Sequence, residues 1–464
     1  MKIPVHVEVA IHPSVQYSSL FLREHVLQYL ESNEAVFKVG ALLVPSSNPL
    51  STYVESMVVT QCGTTRAKAE IVSFWQADIR VHAFHLSDRD PEVDVITVGN
   101  GGDGEEMSPC SQYMLPRRDF SGLWDSLVLE ADLKEHLVEY ATSVLQFASA
   151  GVREHIIGAN RMVLLHGPPG TGKTTLCRAL AQKLSVRLSH LYRSAVLVEV
   201  HTHSLFSKWF SESGKLVARL FEHICELVEE PGALVVVMID EVESLTSARS
   251  SALHGSEPSD AVRVVNAVLT QLDNLKRSKN VLTLCTTNLV SAIDAAFLDR
   301  ADVKAYVGLP PTAARYAILR DCLFELQRVG IVSDVVNDAD LRDSSASSHR
   351  MESDGGIQAC DAGGGLTPPQ KNSYDEDEQK AIGGEPQMGE VTAYPARQMD
   401  VDEVLQKAAV EAKTLSGRTL RKLPFLAHAT YIQSSQCSQL DFARALLATI
   451  QDEQSTRSHA AGES

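Results

Sequence analysis

The run Met162-Val-Leu-Leu-His-Gly-Pro-Pro-Gly-Thr-Gly-Lys-Thr-Thr175 passes from an apolar, strand-like stretch through G-x-x-x-x-G-K-T into a helical segment with Leu176, Ala179, Leu180 and Leu184 on one side. Strand, glycine-rich loop and helix stand in the order a phosphate-binding loop requires. In the loop Gly167, Pro168, Pro169, Gly170, Thr171, Gly172, Lys173 and Thr174, the three glycines permit backbone angles closed to other residues. Successive N–H groups can therefore turn inward around phosphates at the positive end of the following helix. Lys173 is then placed to neutralise β- and γ-phosphate charge, and the Thr174 hydroxyl to ligate Mg²⁺. A glycine-rich turn without function is the bland alternative, and the complete match between a strand and a helix weighs against it.

Downstream, Leu234-Val-Val-Val-Met-Ile239 ends in the adjacent carboxylates Asp240 and Glu241. A buried strand that delivers acids to a sheet edge puts them where open α/β sheets bind ligands. Asp240 is expected in the Mg²⁺ shell, with Glu241 beside it orienting and deprotonating an attacking water. An Asn-Lys-x-Asp guanine-reading segment is absent from the sequence, so ATP is favoured over GTP. Asn288 ends the strand-like Val281–Thr287, where a γ-phosphate sensor would sit. Arg300 closes a helix-like segment and is a candidate arginine finger for a neighbouring subunit, a surface salt bridge being its alternative. Arg418 follows Gly417 at the start of an amphipathic helix and is a candidate to contact the same phosphates in cis, with Arg421 its competitor on sequence grounds. Trp209 and Phe210, between a strand and the helix carrying Leu216, Val217, Leu220, Phe221 and Ile224, fit two descriptions. Exposed, they would grip a polypeptide; buried, they would complete one helical turn packed in the core.

Around this centre, the chain of 464 residues has room for two or three domains, and 44% hydrophobic with 22% charged residues is ordinary globular composition. From about Pro116 to Gly308 buried strands alternate with amphipathic helices, which predicts an α/β fold, a parallel sheet covered by helices on both faces. Residues 1–110 read as a small α+β domain with strands near Val5–Val9 and Ile79–Phe84, a helix near Leu20–Leu30, and a linker around 100–106. The large ATPase domain is expected over 112–312 and a small helical lid over 313–455, interrupted at about 334–397 by a Ser/Gly/Asp/Glu-rich tract read as a disordered insertion. The longest apolar run, Ala233 to Ile239, is too short to cross a bilayer. The start alternates polar and apolar residues, unlike a signal peptide. The eight cysteines lack any C-x-x-C pair and read as small buried hydrophobes in a reducing compartment. A formal net charge of −17 argues against a phosphate backbone as main partner.

These residues resemble the AAA+ family, and within it the pachytene checkpoint protein 2 (thyroid hormone receptor interactor 13) branch. The resemblance rests on Phe120–Leu127, Leu164–Thr174, Ser204–Lys215, Ile239–Leu245, Val264–Thr270 and Leu415–His428. It implies a homo-hexameric ring whose ATP cycle, with Mg²⁺, converts HORMA-domain clients from closed to open conformers, aided by an adaptor recruited through the N-terminal domain. Meiotic chromosome axes and the spindle checkpoint are the implied setting, in nucleus and cytoplasm, without membrane or direct nucleic-acid binding. The same resemblance makes Lys173 and Glu241 the essential nucleotide residues, Asn288 the first sensor, Arg300 the trans finger, Arg418 the second sensor and Trp209 with Phe210 the pore loop. It sets the adenine ring near Leu123 and Trp124. The insertion inside the lid departs from the family pattern. Rival readings are a DNA-directed clamp loader or helicase, which should carry basic tracking surfaces, a scaffold that binds ATP without turnover, and a protease-coupled unfoldase, for which the C-terminus lacks the docking tail.

Overall fold

The structure is a computed structural model that describes residues 2–462 except 16, 65–66, 94–95, 99–104, 131, 154, 203, 205–212, 245–258 and 334–393. Trp209, Phe210 and most of the tract at 334–397 therefore lie outside the described residues. By their contacts the described residues separate into two compact units, Met1–Asp321 with Ala409–Leu423, and Cys322–Ala408 with Pro424–Ser464.

The first unit opens with β1 (Ile3–Ile11), α1 (Ser19–Asn33), β2 (Val54–Thr64) and β3 (Ala77–His85). β1 lies between antiparallel β2 and parallel β3. Its alternation has a direct physical outcome: Val5, Val7 and Val9 turn inward against Leu22, Val26 and Leu30 of α1, while His6 and Glu8 take the opposite face.

The second sheet is built from β4 (Cys110–Leu115), α2 (Leu133–Ser149), β5 (Met162–His166), α3 (Lys173–Arg187), β6 (Ser194–Val200), α4 (Ser213–Glu229), β7 (Ala233–Ile239), α5 (Ser259–Leu275), β8 (Val281–Thr287), α6 (Ala295–Arg300) and β9 (Val303–Tyr306). Among the described residues it has seven strands in the order β9-β5-β8-β7-β6-β4, extended at the β4 edge by Glu92–Val93. The inner pairings are parallel, whereas β4 runs antiparallel to β6. Strand residues alternate between two cores. Val235, Val237 and Ile239 meet Leu216, Val217 and Phe221 of α4, and Leu234, Val236 and Met238 meet Leu176, Leu180 and Leu184 of α3 on the other face. Continuous apolar strands are what a sheet covered on both faces needs, and the expected α/β architecture is present.

After α7 (Thr312–Arg328) come α8 (Tyr394–Glu411), α9 (Gly417–Ala427) and α10 (Gln439–Gly462). α8 begins at Tyr394, inside the tract read as irregular. In the second unit Leu323, Val401, Leu405, Ala408, Phe442, Leu446 and Ile450 are buried, and Val332–Ser333 pairs in parallel with Cys437–Ser438. Among the described residues no helix is long and apolar enough to cross a membrane.

Candidate active site

The carboxyl end of β5 turns into a loop that its glycines make possible. Gly167, Gly170 and Gly172 take φ of 143°, 76° and 97°, in the region that favours glycine. Space is equally restrictive at Gly167, where an added Cβ would lie 2.2 Å from the Val307 carbonyl oxygen. Thr171 Oγ1 donates to the Pro168 carbonyl at 3.0 Å, and Lys173 Nζ donates to the carbonyls of Gly167 and Pro168 at 2.8 Å each. Burial holds the Lys173 ammonium below its ordinary pKa, with Glu243 and Asp240 working against that shift. The cation stays at the first turn of α3, next to the amides that a phosphate would meet.

Asp240 and Glu241 follow the buried β7. The Thr174 hydroxyl donates to Asp240 Oδ2 at 3.0 Å, so the two residues expected to share a metal already stand side by side across α3 and β7. Glu241 adopts φ of 54°, a left-handed conformation that costs a non-glycine residue about 1–3 kcal/mol. Its N–H donates to Thr286 Oγ1 at 3.1 Å. Asn288 follows β8, and its N–H donates to Glu243 Oε1 at 2.9 Å.

A cavity of about 550 Å³ joins these elements, with Pro169–Thr175, Asp240, Glu241, Thr286, Asn288, Arg418 and Arg421 on its polar side. α9 is brought to the loop by its backbone: Arg418 N–H donates to the Gly170 carbonyl at 3.0 Å, and a Cβ on Gly170 would meet Ser416 Oγ at 2.7 Å. Both arginines face the cavity, so the competition between Arg418 and Arg421 stays as the sequence left it. Arg421 Nη2 also donates to the Ser126 carbonyl.

The apolar end of the cavity is formed by Leu127, Val128, Leu129, Leu133, Leu309 and Ile318. Leu123 and Trp124, expected beside the adenine ring, are not in this wall. Both pack against the core that includes α2 and α3, and Trp124 is held there by Lys134 Nζ at 5.2 Å and Lys183 Nζ at 5.6 Å from its ring centroid, within cation–π range. Lys134 Nζ further donates to the carbonyls of Trp124 and Leu127 at 2.8 and 3.0 Å, which fixes the segment so that the residues after it form the wall. Arg300 also lies outside the cavity. It forks onto Asp273 at 2.9 and 2.7 Å and donates to the Ala296 carbonyl.

Phosphate loop, paired carboxylates and an apolar slot form one concave site, which fits a purine nucleotide with its phosphates at the start of α3. Among the described residues no group of three or more His, Cys, Asp or Glu side chains forms a metal site. The donor set Thr174 and Asp240 suits Mg²⁺ held jointly by protein and phosphate oxygens, since that ion rarely has an all-protein cage. Sequence reading missed Thr286, Glu243 and the Leu127–Leu129 wall, and Tyr306 at the end of β9, which also lines the cavity. Two adjacent threonines closing the largely apolar run Val281–Cys285 are the available signal for the first.

Comparison with known proteins gives the family and agrees with the fold. The sequence matches the family model described as ATPase family associated with various cellular activities over residues 163–309, the TRIP13 N-terminal domain over 1–89, and the TRIP13-like AAA+ ATPase lid C-terminal domain over 367–454. The lid match starts inside the tract read as an insertion. A "Pachytene checkpoint protein 2 homolog" of Oryza sativa subsp. indica is 43% identical over 453 residues, 97% of this chain and 88% of the relative. The Gallus gallus homolog of the same name is 38% identical over 444 residues, 96% and 92% of the two chains. The solved structure of C. elegans PCH-2 matches with a TM-score of 0.70 at 30% identity, covering 98% of this chain and 100% of that one.

Proposed function

The chain belongs to the pachytene checkpoint protein 2 family of ATP-hydrolysing AAA+ enzymes, and on that premise we propose that it remodels HORMA-domain proteins from closed to open conformers as a homo-hexameric ring. The observation that supports this most is the joining of Lys173, Thr174, Asp240, Glu241, Asn288 and Arg418 around one cavity, on a chain whose first 89 residues match the TRIP13 N-terminal domain.

In this reading the amides of the loop and Lys173 bind the phosphates, and the Leu127–Leu129 wall takes the base. Thr174 and Asp240 hold Mg²⁺, which when bound neutralises phosphate charge. Glu241 accepts the proton of the attacking water, and Asn288 keeps that water and the terminal phosphate in line. Arg300 completes the site of the neighbouring subunit, Trp209 and Phe210 grip the client, and the N-terminal domain recruits client and adaptor. Work on chromosome axes and the spindle checkpoint, in nucleus and cytoplasm, belongs to the same proposal.

The test is ATP turnover of the purified chain with and without a closed HORMA-domain protein, beside Glu241→Gln and Trp209→Ala. Stimulation by the client, a fall of about 10²–10⁴-fold in Glu241→Gln and loss of stimulation in Trp209→Ala are expected. Stimulation by DNA and not by the client would sink the remodelling reading and leave the ATPase.

A further inference from the structure

β8 is buried along its whole length and lies between β5 and β7 in the middle of the sheet, yet it ends in two threonines, Thr286 and Thr287, whose exposures are 1% and 0%. A buried hydroxyl needs partners. Thr287 finds a local one, its Oγ1 accepting from the Leu289 N–H at 3.1 Å, which is an ordinary turn at a strand end. Thr286 reaches across to the next strand. The parallel register sets Cys285 opposite Ile239, so Thr286 meets the residues that leave β7. Its hydroxyl donates to Asp240 Oδ1 and accepts the Glu241 N–H. A hydroxyl has one proton and two lone pairs, and this one is engaged in both senses at once.

We propose that Thr286 is a positioning residue for ATP hydrolysis, its hydroxyl tying the carboxylate of Asp240 to the backbone of Glu241. The inference rests on the proposed roles of those two acids. Two features of the geometry give the tie a task. Glu241 is in a left-handed conformation, φ 54°, which a glutamate does not hold without outside support, and the bond to its N–H supplies some. Asp240 accepts from Thr174 and Thr286 together, so its carboxylate plane is set by α3 on one side and β8 on the other. Thr286 thus bears both on the direction in which Glu241 enters the cavity and on the direction in which Asp240 presents its oxygens. Valine at this position would keep the shape and lose both bonds; serine would keep both bonds and lose a methyl group.

The experiment measures kcat and KM for ATP, nucleotide affinity by titration of a fluorescent ATP analogue, and thermal midpoint, on the full chain and on Thr286→Val, Thr286→Ser and Glu241→Gln. Partners that orient groups in a metal site are worth about 10- to 100-fold in activity or metal affinity, so Thr286→Val is expected to lose kcat by about that factor. Its affinity for the analogue should stay within about threefold of the parent, and Thr286→Ser should recover most of the loss. Wild-type kcat in Thr286→Val overturns the proposal. So does a parallel fall of kcat, affinity and thermal midpoint that Thr286→Ser shares, because that pattern describes packing alone. Full turnover in Glu241→Gln would instead remove the premise, whatever Thr286→Val does.

Discussion

Replacing Glu8 by glutamine should destabilise the chain by several kcal/mol although Glu8 lies far along the sequence from every nucleotide residue. Glu8 leaves β1 on the face opposite Val7 and Val9, and its Oε1 stands 2.7 Å from Lys183 Nζ and 3.0 Å from Arg187 Nε. All three side chains are nearly out of solvent, at 13%, 10% and 6% exposure. Burial pushes the Glu8 carboxyl up, and the two cations outweigh it, leaving the pKa below its ordinary value. At an effective dielectric of about 20, each contact at ~3 Å is worth roughly 5 kcal/mol before desolvation. Desolvation takes back most of that, so the net worth of the cluster is small, while removing its one anion strands two buried cations at a cost of about 3–5 kcal/mol. Both cations are on the last turns of α3, the helix that begins at Lys173, so β1 anchors the far end of the phosphate-loop helix. Urea unfolding followed by tryptophan fluorescence, with hydrogen exchange resolved over β1 and α3, reads the effect. Glu8→Gln should lower stability by about 3–5 kcal/mol and speed exchange in the last turns of α3. The triple variant Glu8→Leu, Lys183→Met, Arg187→Met should recover most of the loss, because an apolar cluster strands no charge. A loss under about 1 kcal/mol, the worth of a surface pair, or a triple variant as weak as Glu8→Gln, would refute the reasoning.

The phosphate loop was legible because its chemistry is written in backbone permissions: Gly167 and Gly170 are required by positive φ and by close approach, and no other residue substitutes. Asp240 and Glu241 were legible because a continuous apolar strand that stops at two acids has few other meanings. What escaped depended on register and on distant partners. The bonds of Thr286 exist only because β7 and β8 run parallel with Ile239 opposite Cys285, which periodicity cannot reveal. β4 escaped because polar side chains are buried on both of its faces, Ser111 on one and Gln112 on the other, so it lacks an apolar alternation; Gln112 is matched with His223 of α4. The resemblance sets the adenine near Leu123 and Trp124; in the structure the residues just after them line the cavity, and Lys134 of α2 and Lys183 of α3 lie over the Trp124 ring, contacts that a local pattern does not announce. The Glu8 cluster joins positions separated by 175 and 179 residues, and a sequence offers no local mark of such a pairing.

Two further expectations concern charge. Burial, then Arg187, lowers His6 from 6.5 to about 2 and His82 to about 3, and the two rings are hydrogen-bonded at 3.0 Å. Since both folded values lie below the unfolded one, this contribution is complete above pH 6.5 and is lost as pH falls toward 3, at about 1.4 kcal/mol per unit for each ring. Between pH 7.5 and 5.5 urea stability should fall by about 3 kcal/mol, before Glu8 begins to protonate, and His82→Phe should roughly halve that slope; an unchanged slope would contradict the assignment. Arg300 tests the proposed ring. Its pKa is raised, chiefly by the hydrogen bond to Asp273, and that of Asp273 is lowered by the same bond, but at 27% and 52% exposure the pair is worth only about 0–1 kcal/mol. Asp273→Asn and Arg300→Ala therefore remove the same small stabilisation. If Arg300 acts on a neighbouring subunit's nucleotide, Arg300→Ala alone should lower ATP turnover by about 10³-fold or more, and mixing it with Lys173→Ala chains, whose own phosphate loop is disabled, should restore some turnover at subunit interfaces where an intact loop meets an intact arginine. Equal turnover in the two single variants would make Arg300 what the isolated chain displays, one half of a surface ion pair.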